Sequence, residues 1–455
     1  MDKCVDQSIP EVSFLPQTRV YAGKPNLHLR RTVKLDPVAE FFIYKIVYNN
    51  RSRFRQPHTK NRKHFGYRFS EGTPINPSQS YAGFKGAIAD NVKKYKHYIA
   101  CDVASFFNSI YHHDIVSWMA DIGAEEKDFM SLGQFLREIN SGRSIDCLPQ
   151  GLYPTKMIGN DFLRFIDNFH GLKSEVMIRF MDDMYLFDDN EKNITSDFLL
   201  IQKLLGDKGL SLNPNKTFRA GDHGDFSAEV DEVKRALLRR RRNIVTIGYD
   251  ENENEITKEQ KINLKLSNDE LNYILELLKK ENLEEEDVEL VLTIMGEYPK
   301  EVAPRLGDMI VNFPHLIKSI YGFCKFIENK DELADIILNL LSQENNLQEF
   351  QLFWVGWIIE SHLINTKNAA RIIDLTFNHR NASVISRSKI LEIGDARYGL
   401  SELRAQYLGA GQSDWLSWSS AVGSRTLSAI SRNHRLTYFG KSSQMNQLIY
   451  SVLTK

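Results

Sequence analysis

Ile178–Asp189 reads IRFMDDMYLFDD, two adjacent aspartates between two apolar runs. Short apolar runs rich in aromatic and β-branched residues form strands, and two of them around a polar dipeptide form a hairpin. Ile178, Phe180 and Met181 lead in, Met184, Tyr185, Leu186 and Phe187 lead out, and Asp182 and Asp183 fall at the apex. The dipeptide is the odd part. Tight turns normally use Asn-Gly or Asp-Gly, where glycine tolerates positive φ; two aspartates bring like charges together with no steric advantage. Carboxylates held between buried strands are costly unless a cation joins them, and a divalent metal is the natural candidate. The plainer alternative is an acidic surface turn.

A second carboxylate of the same kind lies upstream. His97–Val103 is an apolar strand that ends on Asp102, followed by Phe106 and Phe107 and a helix from about His113. Alone, Asp102 could simply cap that helix. Together with Asp182 and Asp183 it makes three carboxylates on strand ends, the arrangement needed to hold two divalent ions about 3.5–4 Å apart. One such ion activates a hydroxyl and the other stabilises the leaving oxygen, so positioning and charge neutralisation carry the catalysis.

Other segments fit phosphate chemistry. Asp36–Asn49 has a capping aspartate, a proline at the first position and one apolar face, and predicts a helix. After it, Arg51, Arg53, Arg55, Lys60, Arg62, Lys63 and Arg68 alternate with Phe54, His64, Phe65 and Tyr67. Cations beside aromatic rings suit a triphosphate or a nucleic-acid backbone with stackable bases, although a solvated basic face looks the same. With 58 basic and 59 acidic residues the chain is no polybasic coat, so any such surface is local. Its 455 residues allow two or three domains. Cys4, Cys101, Cys147 and Cys324 are too scattered for a disulfide framework or a zinc site, as in a reducing cytoplasm. An apolar signal core and a run of about 18 apolar residues are both missing, which predicts a soluble, intracellular protein with no membrane partner.

The order of these elements resembles the palm of a reverse transcriptase. Asp102-Val103-x-x-Phe106-Phe107-x-Ser109-Ile110 is similar to that family's motif A, and Pro149-Gln150-Gly151 with Thr155 and Asn160 to motif B. Phe180-Met181-Asp182-Asp183 is similar to motif C, and Gly209–Pro214 with Lys216 and Thr217 to motif D. The resemblance covers about residues 36–248. It implies that Asp102 and Asp182 are the principal metal ligands, with Asp183 weaker or outside the inner shell and the Val103 carbonyl a further ligand. Two Mg²⁺ ions are implied, and Mn²⁺ also suits the donors. Phe107 would exclude a ribose 2′-hydroxyl, or pack in the core. Gln150 and Gly151 would floor the incoming nucleotide, glycine because a missing side chain lets backbone approach the ligand. Lys216 would protonate or neutralise the departing pyrophosphate. Lys60, Arg62 and Lys63 are candidates to grip the triphosphate. Two departures put ordinary template and primer handling in doubt: Thr155-Lys156 stands where templated members place Ser-Pro, and Phe180 replaces a common tyrosine.

Beyond the palm lie an acidic-then-basic bridge with Arg239–Arg242, a strand-like Ile244–Tyr249 and an acidic linker Asp250–Glu255. About two hundred residues with helical periodicity follow, including Asp269–Lys279, Asp331–Leu341 and Leu347–Leu363. The fold class expected is α+β: fingers and palm over residues 1–249, then an all-α, HEAT-like domain over residues 250–455. Trp415 and Trp418 are assigned to packing. A palm followed by such a domain is similar to the bacterial abortive-infection (Abi) and related antiphage-defence reverse transcriptases. That resemblance implies a cytoplasmic bacterial homo-oligomer that polymerises deoxynucleoside triphosphates. In some members of that group it also implies synthesis without a template, primed by a tyrosine so that the DNA product stays attached to protein. Tyr44, Tyr48, Tyr67 and Tyr450 are the candidate primers. Two alternatives stand beside it: an RNA-templated, retron-like enzyme with a dedicated noncoding RNA, and an inactive palm serving as a nucleic-acid-binding scaffold.

Overall fold

The computed structural model describes residues 13–54, 61–70, 73–140, 148–220, 237, 245–249, 255–258, 266–280, 283–343 and 346–454. The chain divides into two units: Met1–Arg19 with Arg31–Val230 and Ile244–Gln260, and Val20–Arg30 with Asp231–Asn243 and Lys261–Lys455. Sequence patterning alone does not anticipate the exchange of 20–30 and 231–243.

The strands are β1 (Thr18–Gly23), β2 (Leu29–Lys34), β3 (Arg62–Phe65), β4 (Phe69–Ser70), β5 (Thr73–Pro74), β6 (His97–Asp102), β7 (Val176–Phe180), β8 (Asp183–Asp188) and β9 (Phe218–Arg219), with β10 (Val245–Tyr249) and β11 (Glu255–Lys258) as a further hairpin. The first unit is built on a five-stranded sheet in the order β3-β7-β8-β6-β9. Only β3 runs parallel to its neighbour. The helices are α1 (Pro37–Asn49), α2 (Pro77–Lys94), α3 (Phe106–Ser109), α4 (His112–Asp121), α5 (Glu126–Ile139), α6 (Tyr153–Phe162), α7 (Arg164–Asp167) and α8 (Glu191–Gly206).

Period-two alternation sends the strands into two different packings. Ile99, Cys101, Met177, Met184 and Leu186 join the main core with α1, α5 and α6, while Ile178 and Phe187 pack with Phe84 of α2 and Tyr95. The α1 helix forms as expected. Asp36 accepts from the Val38 and Ala39 amides, Pro37 opens the first turn, and Ala39, Phe42, Ile43, Ile46 and Val47 turn inward.

In the second unit, two series of alternate helices pack in succession. Ile317–Cys324 meets Glu349–Ile358, which meets Val384–Glu392, then Trp415–Gly423, then Gln444–Leu453. Between them, Leu306–Asn312 meets Lys330–Gln343, which meets Ala369–Phe377. Trp418 is buried and donates its indole N–H to Asn446 Oδ1 at 2.9 Å, a packing role as expected. The long helix expected over residues 347–363 ends its α-geometry at Ile358 and continues as a π-turn, Ile359–Leu363. The bridge residues Arg239–Arg242 and the linker residues 250–254 lie outside the described residues. No helix among the described residues is long and apolar enough to cross a membrane.

Candidate active site

Register brings the carboxylates together. Asp102, the last residue of β6, is paired with Asp183, the first of β8. Directly opposed residues of an antiparallel pair share a face of the sheet, and here it is the face of Tyr98 and Tyr185, away from the main core. Phe180 also pairs with Asp183, so the β7–β8 connection is Met181-Asp182. This corrects the expected apex by one residue, because Asp183 is already in the ladder. Met181 adopts φ +56°, a left-handed conformation uncommon for a non-glycine residue.

The third strand-end feature arrives through the chain after α8. Ala104 N–H donates to the Ser211 carbonyl at 2.8 Å, and Asn213 N–H to the Asp102 carbonyl at 2.7 Å. This bridge pairs Val103 with Leu212 through the neighbours' groups, not the Val103 carbonyl. Asn213 then caps the short turn Pro214–Lys216, which carries Lys216 Nζ to 3.0 Å from Asp102 Oδ2. Motifs distant in sequence therefore meet at one point.

The electrostatics match the geometry. Burial, then the charges of Asp102 and Asp183, push Asp182 up to about 7, with Lys216 pulling the other way. Asp183 is also raised, by burial and then by Asp102, while Lys216 and Lys85 oppose the shift. Burial would lower Lys216, but its hydrogen bond to Asp102 and the three carboxylates outweigh it and raise the ammonium's pKa. Like charges forced together in a partly dry corner call for a cation. Among the described residues, no group of three His, Cys, Asp or Glu side chains already stands in a metal-holding arrangement. An all-protein cage is not what Mg²⁺ asks for: it keeps waters and takes one or two carboxylates plus substrate phosphates. The opposed carboxylates of Asp102, Asp182 and Asp183 fit that pattern.

The motif B residues flank a gap. Gly151 has φ +107°, and a Cβ there would meet nothing within 4 Å among the described residues. Its glycine is thus required by backbone conformation, and the space above it is open to a ligand. Gln150 is held through its carbonyl, which accepts from Thr32 Oγ1 at 2.7 Å, while its buried side-chain Oε1 has no hydrogen-bond partner among the described residues. Thr155 is fully buried and donates to the Leu152 carbonyl at 2.9 Å. Phe107 is only 7% exposed and belongs to the main core, its ring edge-on to Phe106 and against Gly159.

The basic segment separates into three outcomes. Lys60 lies outside the described residues. Arg62 does not suit a triphosphate grip, because it sits in β3 and donates to the Ser174 and Leu172 carbonyls at 2.8 and 3.3 Å. Lys63, also in β3, is exposed.

Of the tyrosines, Tyr44 and Tyr48 are exposed on α1, which packs on α5 and α6, and the Tyr48 ring carries Arg51. Tyr450 belongs to the second unit. Tyr67 alone of the four touches the site strand, with its ring 6.5 Å from Phe180 and its hydroxyl 3.2 Å from Lys156 Nζ.

Three residues escaped the sequence reading. Tyr81 of α2 is 44% exposed and stands edge-on to Phe180 at 5.1 Å. Lys85, one turn on, lies over the Tyr81 ring and acts on Asp183. Arg179 is fully buried in β7. Its signal was present: period two places a cation between Met177 and Met181 on the core face.

Residues 44–234 match the model of a family described as reverse transcriptase (RNA-dependent DNA polymerase). No curated protein matches the chain by sequence. Among solved structures, the chain is similar to the telomerase from Candida albicans in complex with a TWJ fragment of telomeric RNA. That likeness has 10% identity and a TM-score of 0.31, covers 82% of this chain and 67% of that one, and is too remote to carry any detail of the site. The domain at residues 44–234 is that of a nucleotidyltransferase of the reverse transcriptase family.

Proposed function

We propose that this enzyme is a deoxynucleotide polymerase of bacterial antiphage defence, working in the cytoplasm as a homo-oligomer and extending DNA from its own tyrosine without a template. The observation that carries the polymerase reading is the direct opposition of Asp102 and Asp183, beside Asp182 and within reach of Lys216. Asp102 and Asp182 would hold Mg²⁺, with Asp183 and the Val103 carbonyl alongside. A divalent ion bound there supplies activation of a hydroxyl and stabilisation of the leaving oxygen. The chain's own groups do the rest. Gln150 and Gly151 border the open space for the nucleotide, and Lys216 sits where its ammonium can neutralise or protonate pyrophosphate. The Phe107 ring would limit the sugar.

The defence assignment is supported by the resemblance of the palm motifs and by the helical second unit, whose alternating helix packing suits a HEAT-like stack. Self-priming is supported by Tyr67 and Tyr81, the two tyrosines whose rings meet Phe180, next to the Met181-Asp182 turn.

Incubating the purified enzyme with Mg²⁺ and each labelled deoxynucleotide, with no template, tests the reading. Label that stays with the protein through denaturation is expected, and Tyr67→Phe or Tyr81→Phe should remove it. Free product whose sequence follows a co-purifying RNA would replace the untemplated mechanism with a templated one.

A further inference from the structure

Asp182 stands on a turn whose conformation has to be held. Met181, the first of its two residues, lies in the left-handed region at φ +56°, which L-residues other than glycine, asparagine and aspartate rarely adopt. Its side chain is buried in the main core. The group that engages the turn is Arg179, two residues earlier. Arg179 Nη1 donates to the Met181 carbonyl at 2.8 Å and to Asn160 Oδ1 at 3.1 Å. On its other side, Nε and Nη2 grip the two oxygens of Asp167 at 3.0 and 2.5 Å.

Every member of this network is itself fixed. Asp167 is fully buried; burial would raise its carboxyl, but Arg179 and His64 hold it at about 2, so it stays an anion opposite the guanidinium. His64 Nδ1 stands 3.2 Å from the same Asp167 oxygen. Asn160 donates Nδ2 to the Tyr67 carbonyl at 3.2 Å. It belongs to α6, the helix that follows the Gln150-Gly151 loop. One planar cation therefore touches the turn that presents Asp182, the helix behind the nucleotide floor and a buried anion that locks it in place.

We propose that Arg179 is the positioning residue of the site. It fixes the peptide that aims Asp182 at the metal, and through Asn160 it sets α6 against that peptide. This rests on the polymerase reading of the corner, but its test does not need turnover. A lysine keeps the charge opposite Asp167, yet a single ammonium cannot fork to Asp167, Asn160 and the Met181 carbonyl together.

The probe is Mn²⁺ alone, titrated into nucleotide-free protein and followed by electron paramagnetic resonance. Amide hydrogen exchange over residues 181–183 is recorded in parallel. Arg179→Lys is expected to weaken Mn²⁺ binding about tenfold and to speed exchange in the turn, while global unfolding stays cooperative. Glycine adopts the left-handed region freely, so in a Met181→Gly background the same change should weaken Mn²⁺ binding less than threefold. That non-additivity is the signature of a shared turn.

Unchanged Mn²⁺ binding in folded Arg179→Lys overturns the proposal, and so does an equal loss in both backgrounds. Should Arg179→Lys fail to fold, Asn160→Ala removes one arm of the network and leaves the buried ion pair. It is then expected to speed exchange in the turn, and unchanged exchange overturns the proposal. A wild-type protein that binds Mn²⁺ in this pattern but incorporates no nucleotide would instead unseat the polymerase reading, leaving the role of Arg179 intact.

Discussion

In the first unit, Asp102, Asp182 and Asp183 face one another with Lys216 as the near cation, and burial with repulsion lifts Asp182 to about 7. In the second unit, Glu360 also sits in a partly buried place, but Lys389 grips it at 2.5 Å and Arg425 at 3.1 Å. Lys389 is almost fully buried and lies over the Trp357 ring at 3.3 Å. One cluster leaves like charges opposed, and the other answers its charges from two sides. Buried charges without partners are destabilising, so a fold keeps them only where something outside the fold completes them. The π-turn at Ile359–Leu363 shows that an irregular, charged segment is not enough to mark a site, since Glu360 within it is fully answered.

The largest effect should come from removing the opposition. Asp182→Asn or Asp102→Ala is expected to cut nucleotide incorporation by roughly a thousandfold or more, measured with labelled deoxynucleotide. The fold should survive. An acid whose folded pKa lies above its unfolded value binds its proton more tightly when folded. In metal-free protein, Asp182 therefore favours the fold below about pH 4, and that increment is lost as pH rises to about 7. Asp182→Asn should flatten this fall in a series of melting curves. A variant that unfolds, or that melts with the same pH slope, would erase the contrast with Glu360.

How much of this was legible follows from where the signal sits. The strand-end aspartates announce themselves locally, because charge beside apolar runs needs an explanation, and the α1 cap and strand alternation are written in short windows. The bridge at Val103–Leu212 is a long-range pairing, so only the motif order, not periodicity, linked Lys216 to Asp102. Arg62 misled for the opposite reason: a basic run does not say which carbonyls its guanidinium will meet once β3 joins the sheet. The helices of the second unit were visible by period, but the capture of 20–30 by that unit depends on tertiary packing alone.

A second test asks whether the first unit also shapes its apolar groups for a ligand. Phe107→Ala empties a buried position against Phe106 and Gly159 and should cost about 3 kcal/mol in denaturant unfolding. It should also admit ribonucleotides that the parent rejects, scored as the ratio of kcat/KM for the two sugars. Loss of stability with unchanged sugar preference would make the ring plain core, as Trp418 is in the other unit.

Breaking the answered cluster is the third. Lys389→Met removes one of two cations from Glu360 and the cation over Trp357. A loss of about 2 kcal/mol is expected, below the range for a pair broken outright because Arg425 remains. It is read from the urea midpoint at constant slope. A neutral result would mean that Glu360 needs no second cation, and the difference between the clusters would then be one of burial only.

The smallest change is the most discriminating. Gly151 has positive φ and, among the described residues, open space where its Cβ would be, so alanine meets no clash there and carries the positive-φ backbone penalty of roughly 1–2 kcal/mol. If that space is where the nucleotide stands, the added methyl group should raise KM for deoxynucleotide several-fold and leave kcat nearly unchanged, since it obstructs binding and touches no reacting atom. Equal falls in kcat and kcat/KM would instead place Gly151 among groups felt only in the transition state. A loss of stability with normal kinetics would reduce it to a turn, and the unpartnered Gln150 Oε1 beside it would then need another explanation than a bound nucleotide.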